Sequence, residues 1–265
     1  MIIDPQNFEN SKALSIVSLV PSITELLHHL HLEDEIVGIT KFCISPPHLR
    51  SQKTIVGGTK KVDINKIFGL NPDLIIANKE ENTKADIETL AENFPVLLTD
   101  VNDYNDALDM IETIGSITSK LPESKQLVQD ITDAFLNLRS LVSKEPRIGV
   151  AYLIWQEPYM TVGGDTFISS MLHEAGFINR FQQDLRYPTT SLEDLEDMGV
   201  DVVLLSSEPF PFAQKHLLAL QKAKPSMKFL LADGEMFSWY GSRMLQSPAY
   251  FEQLYKSASA LFVLN

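Results

Sequence analysis

Short apolar runs alternate along the chain with longer segments of mixed polarity. The apolar runs predict strands at residues 14–20, 35–40, 74–77, 96–99, 147–154, 202–205 and 229–232. The segments between them predict helices at residues 22–31, 63–70, 82–92, 104–118, 122–143, 166–175, 192–198, 214–222 and 247–262. Ser22 and Glu25 have the spacing of a capping box, which places the start of the first helix at Ser22. The alternation predicts an α/β fold with mainly parallel central sheets.

The second half of the chain repeats the pattern of the first half. Residues 63–78 and 191–206 share the same order of apolar and polar positions, with Asp73 opposite Asp201. A period this long excludes a solenoid, whose repeats recur every few dozen residues. The repeat predicts two similar α/β lobes, and paired lobes usually hold a ligand between them.

A long amphipathic helix is predicted between the two repeats. A helix over residues 122–143 would span about 33 Å, far more than a crossover within one lobe requires. The segment lacks the Gly/Ser composition of a flexible hinge, so we expect a stiff connector. The predicted organisation is an N-terminal α/β lobe at residues 1–120, a connecting backbone helix at residues 121–145 and a C-terminal α/β lobe at residues 146–265.

Composition excludes several classes of function. The formal net charge of −13 argues against nucleic-acid binding, which requires a basic face. No apolar run is long enough to span a membrane. Cys43 is the only cysteine, so the chain tolerates a reducing compartment. The first residues lack the positive charge of an export signal, which predicts a cytoplasmic location, or a periplasmic one if a leader precedes the sequence.

Aromatic residues are concentrated in the loops that follow predicted strands, where ligands bind to open parallel sheets. Such rings suit a broad, flat, partly apolar ligand, and the alternative is that they cap the lobe cores or pack the lobes together. The aromatic candidates are Trp155, Tyr159, Phe210, Trp239 and Tyr240. Arg243, beside them, would clamp a carboxylate or phosphate, or form a surface ion pair. Gly57 and Gly58 by themselves predict a turn with a positive φ.

The sequence contains no arrangement typical of a catalytic or metal centre. His28 and His31 share a helix face, but the sequence places no further ligand beside them, and Cys43 with His48 is similarly incomplete, so these residues are interpreted as structural. Motifs for nucleotide binding, metalloproteases and serine hydrolases are absent. We therefore expect a non-enzymatic protein with no catalytic residues, no required cofactor and no resident metal.

Several strings make the chain resemble the cobalamin-binding proteins of bacterial ABC importers. More broadly, it is similar to the helical-backbone class of periplasmic binding proteins, which bind cobalamin, haem and ferric siderophores. The first-lobe strings are SLVPSITE at residues 18–25, VGG at residues 56–58 and LNPDLIIA at residues 70–77. The others are ANKEEN at residues 77–82, SEPFPF at residues 207–212 and FSWYGSR at residues 237–243.

The resemblance implies two α/β lobes bridged by one long helix, with the ligand between the lobes. By similarity, the ligand contacts Gly57, Gly58, Asn78 and Lys79, the loop at residues 155–159 and the loop at residues 235–243, where Glu235 and Arg243 would bond peripheral polar groups. The family docks onto an ABC permease through one acidic residue on each lobe. The matching positions are Glu193 in the second lobe and Asn65, which is not acidic, in the first.

The leading hypothesis is a solute-binding protein for cobalamin or a related corrinoid or metal complex, serving uptake or intracellular handling. A ferric-siderophore or haem-binding protein is the first alternative. The alternative of another class is a cytoplasmic enzyme that processes a corrinoid or metal cofactor, with Glu80, Glu208 and Asp233 as its acids. The expected partners are a small-molecule metal complex and an ABC permease.

Overall fold

The computed structural model describes residues 1–5, 8 and 14–263. Within this part of the chain, contacts define two compact units. Of the described residues, unit 1 comprises residues 1–5, 8 and 14–101 with Asn105–Asp130 and Trp239–Arg243. Unit 2 comprises Asn102–Tyr104, Ile131–Ser238 and residues 244–263.

The elements alternate between strands and helices along the whole chain. The first half contains β1 (Ile16–Ser18), α1 (Pro21–His29), β2 (Ile36–Ile39), α2 (Leu49–Gln52), β3 (Thr54–Ile55), α3 (Ile64–Leu70), β4 (Leu74–Asn78), α4 (Lys84–Ala91), β5 (Val96–Thr99), α5 (Tyr104–Ile117) and α6 (Leu121–Val142). The second half contains β6 (Ile148–Leu153), β7 (Tyr159–Met160), α7 (Phe167–Glu174), β8 (Phe177–Asn179), β9 (Thr189–Thr190), α8 (Leu192–Asp197), β10 (Val202–Ser206), α9 (Gln214–Ala223), β11 (Phe229–Ala232), α10 (Gly234–Ser238), a short 3-10 helix (Ser242–Leu245) and α11 (Ser247–Val263).

Each unit is built on a parallel sheet, and the two sheets have the same strand order. The sheet of unit 1 runs β3-β2-β1-β4-β5, and that of unit 2 runs β11-β10-β6-β8. All pairings within both sheets are parallel. The stretch β2-β1-β4-β5 therefore matches β8-β6-β10-β11, and the predicted α/β class with mainly parallel sheets is confirmed.

The repeated aspartates perform the same task in each unit. The Asp73 carboxylate, just before β4, accepts hydrogen bonds from the backbone N–H and the hydroxyl of Ser15 at 2.9 and 2.8 Å. The Asp201 carboxylate, just before β10, accepts from the backbone N–H of Gly149 at 2.6 Å. Each carboxylate thus joins the start of its strand to the start of the neighbouring strand, which explains why both repeats carry Asp at this position.

Aliphatic side chains from the strands fill the core of each unit. In unit 1, Val17, Leu19 and Ile75 pack with residues from the helices α3 and α4. In unit 2, Leu153 and Val203 pack with side chains from α8 and α9. These strand positions are fully buried, as expected for parallel strands covered on both faces.

The predicted capping box at the start of the first helix is wrong. Helix α1 begins at Pro21, its N-cap is Val20, and no side chain caps it. Pro21 suits the first helical position because the missing N–H would have no partner there. Glu25 instead accepts hydrogen bonds from Arg243.

The long helix and the unit boundaries differ in detail from the predicted organisation. Helix α6 is continuous over 22 residues, as the predicted connector would be. Its residues up to Asp130 belong to unit 1 and the remainder to unit 2, and the segment Trp239–Arg243, predicted in the C-terminal lobe, belongs to unit 1. Among the described residues, none of the helices combines the length and hydrophobicity that a bilayer-spanning segment requires.

Candidate functional site

Asn78 ends β4, and its side chain holds the loop that follows that strand. It is 1% exposed, and its Nδ2 donates to the backbone oxygen and the hydroxyl of Thr99 at 3.3 and 3.1 Å. Its Oδ1 accepts from the backbone N–H groups of Glu80 and Glu81 at 2.8 and 3.2 Å. The amide predicted to contact a ligand is thus fully engaged in shaping residues 78–81.

Asn82 joins this loop to two others in unit 1. Its Oδ1 accepts from the backbone N–H of Asn78 at 2.9 Å. Its Nδ2 donates to the backbone carbonyls of Leu19, after β1, and Thr59, in the turn after β3, at 3.2 and 3.1 Å. Asn82 thus connects the carboxyl ends of β1 and β4 to the glycine turn, a role that its position in the sequence does not reveal.

The glycine turn requires a conformation that other residues rarely adopt. Gly57 has φ +106°, and an added Cβ would lie 2.6 Å from the Lys61 carbonyl oxygen and 2.9 Å from the Asp63 nitrogen. The N–H of Gly58 donates to the Lys61 carbonyl at 2.9 Å and closes the turn. Gly57 therefore has a structural reason to be glycine, and the ligand contact predicted for Gly57 and Gly58 stays a prediction.

Two lysines extend from these loops. Lys79 is exposed and pairs with Asp100, with 2.5 Å between Nζ and the carboxylate oxygen. Lys60, in the glycine turn, donates to the backbone carbonyl of Glu80. An exposed ion pair such as Lys79–Asp100 contributes little to stability. The ligand contact predicted for Lys79 stays a prediction.

Glu81 is the titratable group of this loop whose pKa shifts. Partial burial raises the pKa of its carboxyl, and the nearby positive charge of Lys60 offsets part of that effect. Of the acids in this loop, the sequence suggested Glu80, which is exposed, and not its more buried neighbour Glu81.

Replacing Glu81 with glutamine should stabilise the protein at neutral pH. A raised pKa means that the folded state holds the proton more tightly than the unfolded state, so stability falls as pH rises from the ordinary carboxyl pKa through the raised one. Glu81→Gln removes this loss, and its advantage should shrink as pH falls to about 4. Urea unfolding across this pH range measures the effect, with Glu92→Gln, at an exposed carboxylate, as control. An equal destabilisation by Glu81→Gln at every pH would contradict the assignment.

Within unit 1, the segment Trp239–Arg243 is joined to helix α1 by a largely buried ion pair. The Arg243 side chain is 11% exposed, and its Nε and Nη2 donate to the two carboxylate oxygens of Glu25 at 3.0 and 2.7 Å. The guanidinium also lies over the Trp239 ring, 4.8 Å from its centroid. Trp239 and Tyr240 are 8% and 6% exposed, so much of their ring surface is already covered.

This geometry favours the ion-pair interpretation of Arg243 over the ligand clamp. The pair is bidentate and largely buried, and not the surface ion pair that was the predicted alternative. The predicted ligand contacts of Trp239, Tyr240 and Arg243 stay predictions.

In unit 2, the loops after β6 and β10 meet in an aromatic cluster. Trp155 is 42% exposed and packs edge-to-face on Phe210, with 5.8 Å between ring centroids. The N–H of Phe210 donates to the Ile154 carbonyl at 3.2 Å, which fixes one loop to the other. Phe210 also packs against Phe212. The structure therefore brings together Trp155 and Phe210, two of the predicted ligand contacts, and leaves the indole accessible.

Tyr159 and Glu193, predicted for different roles, line one groove. Tyr159 in β7 pairs with Thr190 in β9, and β9 leads into α8, which carries Glu193. The open groove has a volume of about 410 Å³. It is lined by Gln156, Glu157, Pro158, Tyr159, Thr190, Ser191, Leu192 and Glu193. Burial raises the pKa of the Tyr159 hydroxyl, and the negative charge of Glu157 raises it further.

Glu193 is 72% exposed, as a docking residue must be. Its carboxylate pairs with Lys224 at 3.0 Å, and hydrogen bonding to that ammonium group lowers its pKa. The matching residue of unit 1, Asn65, is exposed on α3. Glu193 is therefore an exposed acidic residue paired with a lysine, whereas the matching Asn65 is uncharged, and the docking role of Glu193 stays a prediction.

The acidic residues beyond β10 and β11 hold their own loops. The Ser238 hydroxyl donates a hydrogen bond to the Glu208 carboxylate. The Asp233 carboxylate accepts from the backbone N–H of Glu235 at 3.1 Å, and the N–H of Asp233 donates to the Tyr250 hydroxyl. Glu235 is half-buried in α10, and its predicted ligand contact stays a prediction.

Comparison with known proteins identifies the family. The profile described as "Periplasmic binding protein" matches residues 16–236. An uncharacterized ABC transporter substrate-binding lipoprotein, YvrC of Bacillus subtilis, is 28% identical over 166 residues, which are 60% of this chain and 52% of the relative. The chain thus spans about half the length of this curated relative.

Two further proteins are similar over more of their length. The vitamin B12-binding protein of Vibrio cholerae is 23% identical over 206 residues, which are 77% of this chain and 71% of the relative. The solved structure of the periplasmic vitamin B12 binding protein of Vibrio cholerae has a TM-score of 0.79 at 20% identity, covering 93% of this chain and 98% of that one. A periplasmic haem-binding protein of Pseudomonas aeruginosa has a TM-score of 0.80 at 18% identity, with 92% and 94% covered.

The structural likenesses establish a shared fold, and the profile match covers most of the chain. The predicted resemblance and the non-enzymatic assignment are confirmed, because the family consists of binding proteins. On these grounds, the chain belongs to the periplasmic binding protein family and is a solute-binding protein with two α/β units.

Proposed function

We propose that the chain binds a corrinoid of the cobalamin type through the loops at the carboxyl ends of its strands. The observation that carries the proposal is the accessible indole of Trp155, supported edge-to-face by Phe210, at the ends of β6 and β10. A flat, largely apolar macrocycle gains affinity by covering such a ring. The relatives named for vitamin B12 binding support this ligand class.

Polar loops in unit 1 would complete the recognition of peripheral groups. Lys79 and Lys60 offer exposed ammonium groups to a phosphate or carboxylate, and the network of Asn78 and Asn82 fixes the backbone that carries them. The prediction that the ligand lies between the two units stays a prediction, and substitutions in both units test it.

Haem is the second candidate ligand. Tyr159 begins β7, four residues after Trp155, and tyrosine is one of the residues that ligate haem iron. The haem-binding protein with the same fold supports this alternative. Titration with cyanocobalamin, haemin and a ferric hydroxamate, followed by native mass spectrometry, distinguishes the three ligand classes. If none of these three probes binds, the proposal is wrong.

Replacing Trp155 with alanine should weaken cyanocobalamin binding by about 10- to 100-fold, or about 1–3 kcal/mol, as for an aromatic anchor. Because the indole is 42% exposed, the loss of stability should be small. Isothermal titration calorimetry measures the affinity. Leu218→Ala is the matched control, since Leu218 is 56% exposed on α9 and lies outside the loops. Unchanged affinity in the Trp155 variant would remove the aromatic loop from the binding site.

We further propose that the protein delivers its ligand to an ABC permease on the outer side of the membrane. The lipoprotein relative named as an ABC transporter substrate-binding protein supports this role and favours the periplasmic alternative over the predicted cytoplasmic location. Glu193 is the docking residue of unit 2, and uncharged Asn65 gives unit 1 the weaker electrostatic contact.

A further inference from the structure

Three side chains from separate segments of unit 1 converge on one carboxylate. His28 lies at the end of α1, Glu33 in the connection to β2, and His48 just before α2. His28 Nδ1 lies 2.9 Å from Glu33 Oε2, and His48 Nε2 lies 2.8 Å from Glu33 Oε1. The two imidazole rings meet edge to face, with 5.6 Å between their centroids.

Imidazole nitrogens and carboxylate oxygens are among the donor atoms that bind zinc in proteins. One atom from each residue lies within 4.8 Å of those from the other two. In a tetrahedral site with ligands about 2.1 Å from the metal, neighbouring donor atoms are about 3.4 Å apart. The two nitrogens lie beside different oxygens of Glu33, so a three-ligand site requires the carboxylate to turn until one oxygen is about 3.4 Å from both nitrogens.

The cluster is accessible without any rearrangement of the fold. The side chains of His28, Glu33 and His48 are 40%, 30% and 43% exposed. A metal ion can therefore enter directly from solvent, and a water molecule would fill the fourth position of a three-ligand site. The ligands are imidazole nitrogens and a carboxylate, so Zn²⁺ and similar transition-metal ions suit the site better than Mg²⁺ or Ca²⁺.

We propose that His28, Glu33 and His48 form a binding site for a divalent transition-metal ion, with Zn²⁺ as the best-suited ion. The site is separate from the candidate ligand loops. Pro21 begins α1 beyond the carboxyl end of β1, and His28 lies about 10 Å further along the helix. A bound ion cross-links the end of α1, the following connection and the segment before α2, and so stabilises unit 1.

Calorimetric titration of the tag-free full chain with Zn²⁺ tests the site. We expect one ion per chain and weaker binding by more than about tenfold in both His28→Ala and His48→Ala. His31→Ala is the matched control, because His31 is exposed and lay on the predicted His28 helix face but is outside the cluster. Mg²⁺ should give no comparable binding. Failure of the unmodified chain to bind Zn²⁺, or unchanged binding in His48→Ala, would overturn the proposal.

A second measurement uses stability and spectroscopy. Saturating Zn²⁺ should raise the Tm of the unmodified protein by about 5 °C and leave that of His48→Ala unchanged. Co²⁺ in the site should give the intense visible absorption of a tetrahedral ion, and this absorption should be lost in His28→Ala. A six-coordinate Co²⁺ spectrum, or an equal Tm rise in both proteins, would refute the three-ligand site. Cyanocobalamin binding is measured separately, so its outcome does not affect this test.

Discussion

Replacing Arg243 with alanine should lower the free energy of unfolding by about 3 kcal/mol, among the largest effects expected for a single substitution in this protein. The guanidinium and the Glu25 carboxylate are 11% and 13% exposed and form two hydrogen bonds. Removing the arginine leaves a largely buried carboxylate for which, among the described residues, the Ser45 hydroxyl at 2.8 Å is the remaining side-chain donor. The substitution also removes the cation that lies over Trp239.

Urea unfolding of Arg243→Ala, Glu25→Gln and the double variant measures this contribution. The double variant should lose much less free energy of unfolding than the two single variants together, because each single substitution leaves the other side chain without its hydrogen-bond partner. Lys84→Ala is the control, because Lys84 pairs with Glu88 on an exposed helix face, where such pairs contribute about 0.5 kcal/mol or less. Additive losses would show that the two side chains do not depend on each other.

The same variants test the ligand role that the sequence predicted for Arg243. If the arginine only secures its segment, Glu25→Gln and Arg243→Ala should weaken cyanocobalamin binding to a similar extent. A much larger loss in Arg243→Ala would instead support a direct contact between the guanidinium and the ligand.

Replacing Asn82 with alanine should destabilise the protein by about 3 kcal/mol and also weaken ligand binding. The substitution leaves the Asn78 N–H and the carbonyls of Leu19 and Thr59 without the partners they have in the fold. Each buried polar group without a hydrogen-bond partner lowers the free energy of unfolding by about 1–3 kcal/mol. The loss is smaller where a water molecule can replace the missing partner. The loops at residues 57–61 and 78–81 should then lose their fixed geometry.

Urea unfolding and calorimetric titration with cyanocobalamin together measure this effect. Asn93→Ala is the matched control, because Asn93 is exposed before β5 in the same unit. A folded Asn82→Ala protein that retains full stability would show that the amide network does not hold the loops.

The fold was predictable because hydrophobic patterning reports on burial. Buried parallel strands are continuous apolar runs, and the repeated Asp73 and Asp201 mark equivalent strand starts, so the central strands of both sheets followed from the sequence. The short strands β3, β7, β8 and β9 were missed, because two or three residues carry too little periodicity to distinguish a strand from a loop.

The site was predictable only at the level of loops. Ligands bind beyond the carboxyl ends of strands, and this rule pointed to the loops of Trp155 and Asn78. It does not predict which residue each side chain contacts. Arg243 meets Glu25 across 218 residues, and spacing along the chain carries no signal for such a contact. For the same reason, His48 was grouped with Cys43 rather than with His28 and Glu33.

The antiparallel ribbon of β7 and β9 joins the proposed ligand loop to the helix that carries the proposed docking residue. Tyr159 pairs with Thr190, and the next residue, Ser191, forms the capping box that starts α8. A displacement of Tyr159 by cargo would therefore shift the first turn of α8, which carries Glu193. If the proposed function holds, the permease would detect bound ligand through unit 2 alone, because only a few residues connect β9 to Glu193.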